Sequence, residues 1–314
     1  MSDFVTLGRS GLKVHPIGLG ANKISDANPE TNTEYGGEIL LDAIDKGLNF
    51  IDTAFIYGDG KSESIIGETL KKNHLRQDIV IATKGAHEYV DGELKLNNSP
   101  EFLTKQVEDS LARLQTDYID LYYIHFPDED TPKEEAIGAL SRLKEQGKIR
   151  SIGVSNFSFD QIKEANVHQD IDVVQDEYNL LNQEAESKVF QYYKEQNISF
   201  IPYFPFASGL LAGKYDQNTQ LTDRQKSRPQ FQEPTYSEIL GKVEQIRPLA
   251  EKYNTGLQNI VLAYYLSKDV VDAVIPGARN RKQMEQNLEA ASFKLTEDEC
   301  KFIASIFPPS FKLK

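Results

Sequence analysis

The sequence predicts a (β/α)8 barrel, and three observations carry that reading. Short apolar, β-rich runs recur eight times along the chain, most of them followed by a stretch with helical spacing. Runs such as Ile79-Val80-Ile81-Ala82 lack clean polar alternation, so their strands are expected to be buried on both faces, as parallel strands are. The length of 314 residues suits one barrel with every strand answered by a helix. No repeat, low-complexity tract or linker divides it, so residues 1–314 read as a single domain.

Taken in order, Phe4–Val14 reads as a hairpin turning at Arg9-Ser10-Gly11-Leu12 and capping the barrel bottom. The eight strands are expected at His15–Leu19, Leu48–Asp52, Ile79–Thr83, Tyr118–Ile124, Ser151–Ser155, Asp172–Gln175, Ser199–Tyr203 and Ala273–Ile275. Glu34–Lys46 sets Ile39, Leu40, Ala43 and Ile44 on one helical face. A further helix is expected from near Ser62. Pro100–Leu114 opens with Ser99 as N-cap and Pro100 at the first helical position, and Thr131-Pro132 starts the next helix, which stops at Gly147. Gln183–Gln196, Ser237–Tyr253, Leu257–Ser267 and Arg281–Ala290 complete the helical pattern, with extra helix toward the C-terminus. Between Phe204 and Pro234 the chain is long and irregular, which in a compact domain points to a functional loop.

Composition narrows the function. A hydrophobic fraction of 39% fits a soluble core, while the net charge of −13 argues against a protein that binds nucleic acid by neutralising phosphates. No apolar window is long enough for a membrane helix, and no secretory signal opens the chain, so the cytoplasm is the expected location. The lone Cys300 excludes an internal disulfide and a multi-cysteine metal site, and no metal is expected.

Barrel active sites gather at the C-terminal ends of the strands. Those ends supply Asp52 and then Tyr57, Thr83-Lys84, His125-Phe126-Pro127, Ser155-Asn156, Gln175, Tyr203 and Pro276-Gly277-Ala278-Arg279. A lysine beside a tyrosine hydroxyl favours the phenolate, and an aspartate keeps the lysine charged, so Lys84 and Asp52 are expected to lower the Tyr57 pKa. His125 offers a second hydrogen bond to the same substrate oxygen. Such a set polarises and protonates a carbonyl while a hydride arrives at carbon. None of these groups donates hydride, so a cofactor is required. Ser155, Asn156 and Gln175 suit a carboxamide, Tyr203 offers a stacking face, and Arg279, Asn280, Arg281 and Lys282 form a basic patch for phosphate. Gly20, Ala21 and Asn22 are expected at the same mouth. The other histidines, His15, His74, His87 and His168, read as surface or turn residues, and Tyr122 and Tyr123 as core.

In Gly47…Asp52-Thr-Ala…Tyr57-Gly…Ser62-Glu63…Gly67, Thr83-Lys84, His125-x-Pro127, Gly153-x-Ser155-Asn156 and Ile275-Pro-Gly-Ala-Arg279, the chain resembles the aldo-keto reductase superfamily, in order and over nearly its whole length. The pattern is closest to bacterial members of the general-stress or inositol-operon type. The resemblance implies NADPH-dependent reduction of aldehydes and ketones, with a small carbonyl compound as the partner. It implies a tetrad of Asp52, Tyr57, Lys84 and His125, with Tyr57 as general acid. It also implies nicotinamide contacts from Ser155, Asn156, Gln175 and Tyr203. The same resemblance implies that Gly209, Leu210 and Lys214 lie in a loop over the pyrophosphate, and Gly277, Arg279, Gln283 and Asn287 at the 2′-phosphate and adenine end. Two departures stand out. Phe126 follows the histidine where a Trp is common, and Gly277-Ala278 replaces a Lys-Ser pair, shifting phosphate recognition onto Arg279.

Two rivals remain at this stage. One is a redox-sensing binding module that holds NADPH with slow turnover. The other is a barrel aldolase with Lys84 as Schiff-base former. Gly58-Asp-Gly-Lys-Ser and Gly18-Leu-Gly20 fail as phosphate-loop and dinucleotide fingerprints, because the required glycines are missing. The substrate pocket is expected around Ile24–Asn32, Ala86–Leu96, Phe126–Asp130 and Phe204–Gln232.

Overall fold

A computed structural model of the chain describes residues 4–25 and 33–311, with the backbone alone for 33–35. A short hairpin pairs β1 (Val5–Thr6) with β2 (Lys13–Val14) antiparallel. Seven strands then build one parallel sheet. They are β3 (Leu19–Gly20), β4 (Phe50–Asp52), β5 (Val80–Gly85), β8 (Ile119–Ile124), β9 (Ile149–Ser155), β10 (Val173–Glu177) and β11 (Ser199–Tyr203), each hydrogen-bonded to the next. The sheet curls until segment 273–277 meets its first strand. Ile17 bridges Val274 and Gly20 bridges Gly277 in parallel, while Phe200 N donates to Val270 O (2.7 Å) on the other flank. The eighth run therefore occupies its expected position without forming a regular strand. Pro16 and Pro276 have no N–H to give, so the ladder between the first and eighth runs is interrupted.

The helices are α1 (Thr33–Asp45), α2 (Lys61–Lys72), α3 (Pro100–Leu114), α4 (Lys133–Glu145), α5 (Phe159–Ala165), α6 (Glu184–Lys188), α7 (Phe190–Gln196), α8 (Asp223–Lys226), α9 (Thr235–Lys252), α10 (Leu257–Leu266), α11 (Arg281–Leu288) and α12 (Glu297–Ile306). The Ser99 hydroxyl caps α3 by accepting from Phe102 N, as expected. The single helix expected over Gln183–Gln196 is divided at Val189. Hydrogen bonds from Val189 N to Ala185 O and from Tyr193 N to Val189 O still span the break. Both α5 and α12 open on capping boxes, Ser158 with Gln161 and Thr296 with Glu299, which the apolar periodicity alone did not bring out. The run Ala86–Leu96, expected as loop, is a second hairpin of β6 (His87–Val90) and β7 (Glu93–Leu96).

Both faces of the sheet are buried, which explains the missing polar alternation. Ile51, Ile81, Tyr122, Ile124, Ile152, Val154, Val174 and Phe200 pack with the helices. Phe50, Ala82, Leu121, Tyr123, Val173, Ile201, Ala273 and Ile275 form a second cluster joined by Leu7, Leu12 and Val14 of the first hairpin. Glycine is required where β9 passes Tyr123, because a Cβ on Gly153 would lie 2.3 Å from that ring. Of the expected pocket segment Ile24–Asn32, residues 26–32 lie outside the described residues.

Candidate active site

β4 ends on Asp52 and β5 carries Lys84, and the two form an ion pair with side-chain exposures of 1% and 0%. Lys84 Nζ also donates to Thr53 O (2.9 Å). The second Asp52 oxygen accepts from Gln175 Nε2 on β10 (2.9 Å). The pair is therefore held from three strands. A lysine this deep survives as an ammonium only with such a partner. Burial works to lower the Lys84 pKa, but Asp52 and Tyr57 outweigh it and the net direction is upward.

Tyr57 stands on the turn after β4. That turn reverses through Gly58 (φ 67°), Asp59 (φ 52°) and Gly60 (φ 85°), and Ser62 N returns to Tyr57 O at 3.2 Å. All three positions are left-handed, which is why two of the three residues after the phenol are glycines. Lys84 Nζ lies 5.4 Å from the centroid of the Tyr57 ring, and the His125 ring meets that ring edge-on at 6.3 Å. The Tyr57 pKa does not move in the expected direction. Burial is the largest influence and pushes the phenol up, Lys84 pulls it down, and Asp52 pushes it up again, so Tyr57 stands above its ordinary value. Lysine proximity was legible in the sequence, whereas the desolvation that outweighs it was not.

His125 follows β8, its N–H bonded to Gly85 O (2.8 Å). Burial first, then Lys84 and His87, hold its imidazole well below the ordinary histidine range. Asn156 adopts a left-handed backbone (φ 61°) at the end of β9, which asparagine tolerates better than most residues. Its amide donates to His125 O (3.0 Å) and to Ser155 Oγ (3.0 Å), and accepts from the Tyr203 hydroxyl (2.8 Å).

These groups open into a cavity of about 830 Å³. Gly20, Asp52, Tyr57, His125, Asn156, Gln175, Tyr203, Gly209, Lys214, Gly277, Arg279, Gln283 and Asn287 line it. Ala21, Lys84, Ser155 and Leu210, also expected at the site, are not part of the lining; Lys84 and Ser155 are instead bonded to Asp52 and Asn156, which are. Gly20 is a close-approach position, since a Cβ there would lie 2.7 Å from Ile275 O. Among the described lining residues, Lys23, Lys214, Arg224, Arg228 and Arg279 are cationic and Asp52 alone is anionic. In a chain of net charge −13 that local excess favours an anionic ligand.

The basic patch differs from expectation in its members. Arg281 turns away to Glu38 (2.5 Å), leaving Arg279 at the cavity. In its place the segment 222–229 contributes Arg224 and Arg228, which sequence reasoning passed over as irregular loop. Arg228 donates to Ser208 Oγ, and Gln225 Nε2 reaches the Tyr215 hydroxyl (2.7 Å), which donates to Ser208 O (3.1 Å). Thr222 and Gln225 form a capping box, the one local signal that a short helix stands there. His15 and His87, read as surface or turn residues, are buried, at 6% and 8% exposure. The His87 ring packs on His125 and Phe126, a contact that its sequence position did not signal.

A model of the Aldo/keto reductase family matches residues 16–307. The chain belongs to the aldo/keto reductase family. Aldo-keto reductase YhdN of Bacillus subtilis is 33% identical over 97% of this chain and 93% of that protein. An NADH-specific methylglyoxal reductase of Escherichia coli is 30% identical over 93% of this chain and 92% of its own length. Among solved structures, the glycerol dehydrogenase of Gluconobacter oxydans superposes with a TM-score of 0.91 at 29% identity, covering 98% of this chain and 97% of that one. Family membership makes the chain an oxidoreductase of small carbonyl compounds that uses a nicotinamide cofactor.

Proposed function

We propose that the protein is an NADPH-dependent reductase of aldehydes and ketones, with Tyr57 as the proton donor. The observation that carries this reading is the buried Lys84–Asp52 pair beneath Tyr57, at the mouth of a cavity whose far end is cationic. The residues present fit the cofactor. A cavity of about 830 Å³ falls near the upper end of the ~300–1,000 Å³ usual for ligand sites. Amides and the Tyr203 ring lie beside Tyr57 and His125, and glycines line the wall where a ligand passes close to backbone. Asn156, Gln175 and Tyr203 would hold the nicotinamide end, with Ser155 behind Asn156. Gly209, Leu210 and Lys214 would border the pyrophosphate, and Gly277, Arg279, Gln283 and Asn287 the adenosine 2′-phosphate. One relative is NADH-specific, so either coenzyme occurs among similar proteins, and Arg279 is the residue we propose to read the 2′-phosphate.

When bound, NADPH supplies the hydride that reaches the carbonyl carbon. As the carbonyl π electrons move to oxygen, Tyr57 Oη gives that oxygen its proton, completing the alcohol, and is reprotonated from solvent. The raised Tyr57 pKa keeps this proton in place at neutral pH, ready for donation. Lys84 stabilises the phenolate left behind, Asp52 holds Lys84 charged, and neutral His125 offers an N–H that orients the carbonyl. An ammonium paired in this way is not free to attack a carbonyl as an amine, which disfavours a Schiff-base role. We read residues 1–314 as one closed (β/α)8 domain sealed at its N-terminal end by the first hairpin, working in the cytoplasm. Among the described residues no helix is long and apolar enough to cross a membrane.

Tyr57→Phe tests the reading. NADPH binding, followed by quenching of its fluorescence, should be retained while carbonyl turnover falls about 10²–10⁴-fold. Turnover retained within about threefold would remove Tyr57 from the proton-donor role.

A further inference from the structure

We propose that His87 is a positioning residue for His125, and that the hairpin β6–β7 carrying it sets the spacing between the two groups, Tyr57 and His125, that meet the substrate oxygen. This deepens the reductase reading and rests on it. His87 lies three residues beyond Lys84 and is 8% exposed, against 9% for His125. Its ring meets the His125 ring edge-on at 5.2 Å and the Phe126 ring at 5.6 Å, and His125 and Phe126 are themselves 5.0 Å apart. The three rings form one packed unit, of which His125 and Phe126 face the cavity and His87 does not.

The chain is bent into place to bring His87 there. Ala86 has φ 149°, a conformation that residues with a side chain rarely adopt. It is held by Asn97 N donating to Ala86 O (2.8 Å), and Gln106 Nε2 from α3 grips His87 O (3.3 Å). From the same hairpin the Tyr89 hydroxyl donates to Asp59 Oδ1 (2.9 Å), on the turn that carries Tyr57. One two-stranded element therefore touches both sides of the reacting centre.

An imidazole does more here than a phenyl ring of similar size. The Nδ1 atoms of His87 and His125 are both buried without a protein partner. A proton on either ring would face the other across 5.2 Å in a poorly solvated space. Around His125, the groups that titrate are Lys84 from β5, Tyr57 from the turn after β4 and His87, with Asp52 behind Lys84; Asn156 and Phe126 are neutral. Lys84 and His87 are the two that oppose a proton on His125, so once His87 takes up a proton it holds His125 neutral to still lower pH.

Two variants separate packing from charge. His87→Phe keeps an aromatic ring and removes the nitrogens, whereas His87→Ala removes both. The probes are NADPH and para-nitrobenzaldehyde for turnover, and nitrogen NMR of the histidine rings in the coenzyme-free protein for titration. In His87→Ala, kcat should fall about tenfold with NADPH affinity within about twofold, the signature of a change confined to the reacting centre. In His87→Phe, most of kcat at neutral pH should return, while the His125 titration moves to higher pH. A His125 titration unmoved in His87→Phe overturns the proposal, as does a kcat for His87→Ala within about twofold of the parent. If His87→Ala does not fold, the Phe variant decides by itself. Should the unaltered protein neither bind NADPH nor reduce the aldehyde, the reductase reading fails, and the titration still judges the His87–His125 coupling separately.

Discussion

Asp52→Asn changes almost no volume and removes one charge, which makes it a direct probe of the buried pair. In the native protein Lys84 and Asp52 are both almost wholly inside, and the Lys84 pKa lies above its ordinary 10.5. A group with a raised folded pKa stabilises the fold below its unfolded pKa, and that contribution is lost only as pH rises through the folded value. Across neutral pH the native pair therefore contributes in full. With Asn at 52, burial remains and the opposing carboxylate is gone, so Lys84 is pushed toward the neutral amine. Breaking a buried pair by removing one partner costs about 3–5 kcal/mol. Taking ~2.1 cal/mol/K of unfolding entropy per residue over 314 residues, that loss corresponds to a melting temperature lower by about 5–8 °C. The assay is thermal unfolding followed by circular dichroism, from neutral pH to about pH 10. Because an unfolded lysine binds a proton that the buried amine in the variant does not, the deficit should shrink as pH approaches 10.5. The double variant Asp52→Asn with Lys84→Met should recover much of the loss, since a buried pair replaced by apolar groups is often neutral. A deficit below about 1 kcal/mol, or one that ignores pH, would refute the claim that Asp52 is what keeps Lys84 charged.

Arg279→Ala should weaken NADPH about tenfold or more and leave NADH nearly unchanged, as measured by fluorescence titration; a charge-assisted contact of about 1.5–3 kcal/mol is at stake. Equal losses for both coenzymes would take the 2′-phosphate away from Arg279. Gly153→Ala should destabilise the protein by about 1–3 kcal/mol in urea, because its Cβ would lie 2.3 Å from the fully buried Tyr123 ring; an unchanged midpoint would mean that β9 yields easily. Burial lowers the pKa of His15 and His87 and, with Lys84 and His87 adding to it, that of His125. The unfolded chain then binds more protons below pH 6.5, so stability should fall as pH drops from 7.5 to 5.5, and His87→Phe should lessen the fall.

How much was legible in the sequence follows from how each feature is encoded. Asp52, Lys84, His125, Asn156, Gln175 and Tyr203 stand at or just past the ends of apolar runs, and the geometry of a parallel barrel gathers such ends at one mouth. Local pattern and global fold say the same thing at those positions, so their gathering at the cavity, with Lys84 behind Asp52, was legible. Arg281 was misplaced because proximity to Arg279 in the chain says nothing about the direction of a side chain on α11, and Glu38 on α1 draws it away. Arg224 and Arg228 were missed for the opposite reason. Arg224 reaches the cavity from the short helix α8 and Arg228 from just beyond it, in a sequence that resembles any polar loop.

His87 is the most instructive case, because burial and strain together put it where no periodicity points. It sits just outside β5, after a residue with positive φ, in a hairpin whose exposed Tyr89, Leu94 and Leu96 make its pattern look like surface chain. The pKa of Tyr57 failed for a related reason. Charges nearby are readable from residue types, but desolvation depends on everything that packs around the group, and at Tyr57 desolvation is the larger influence. The consequence is chemical. In the proposed reduction, a phenol held up by burial would keep its proton until a substrate oxygen takes it, and Lys84 would act mainly on the phenolate left after transfer, where a positive charge lowers the barrier.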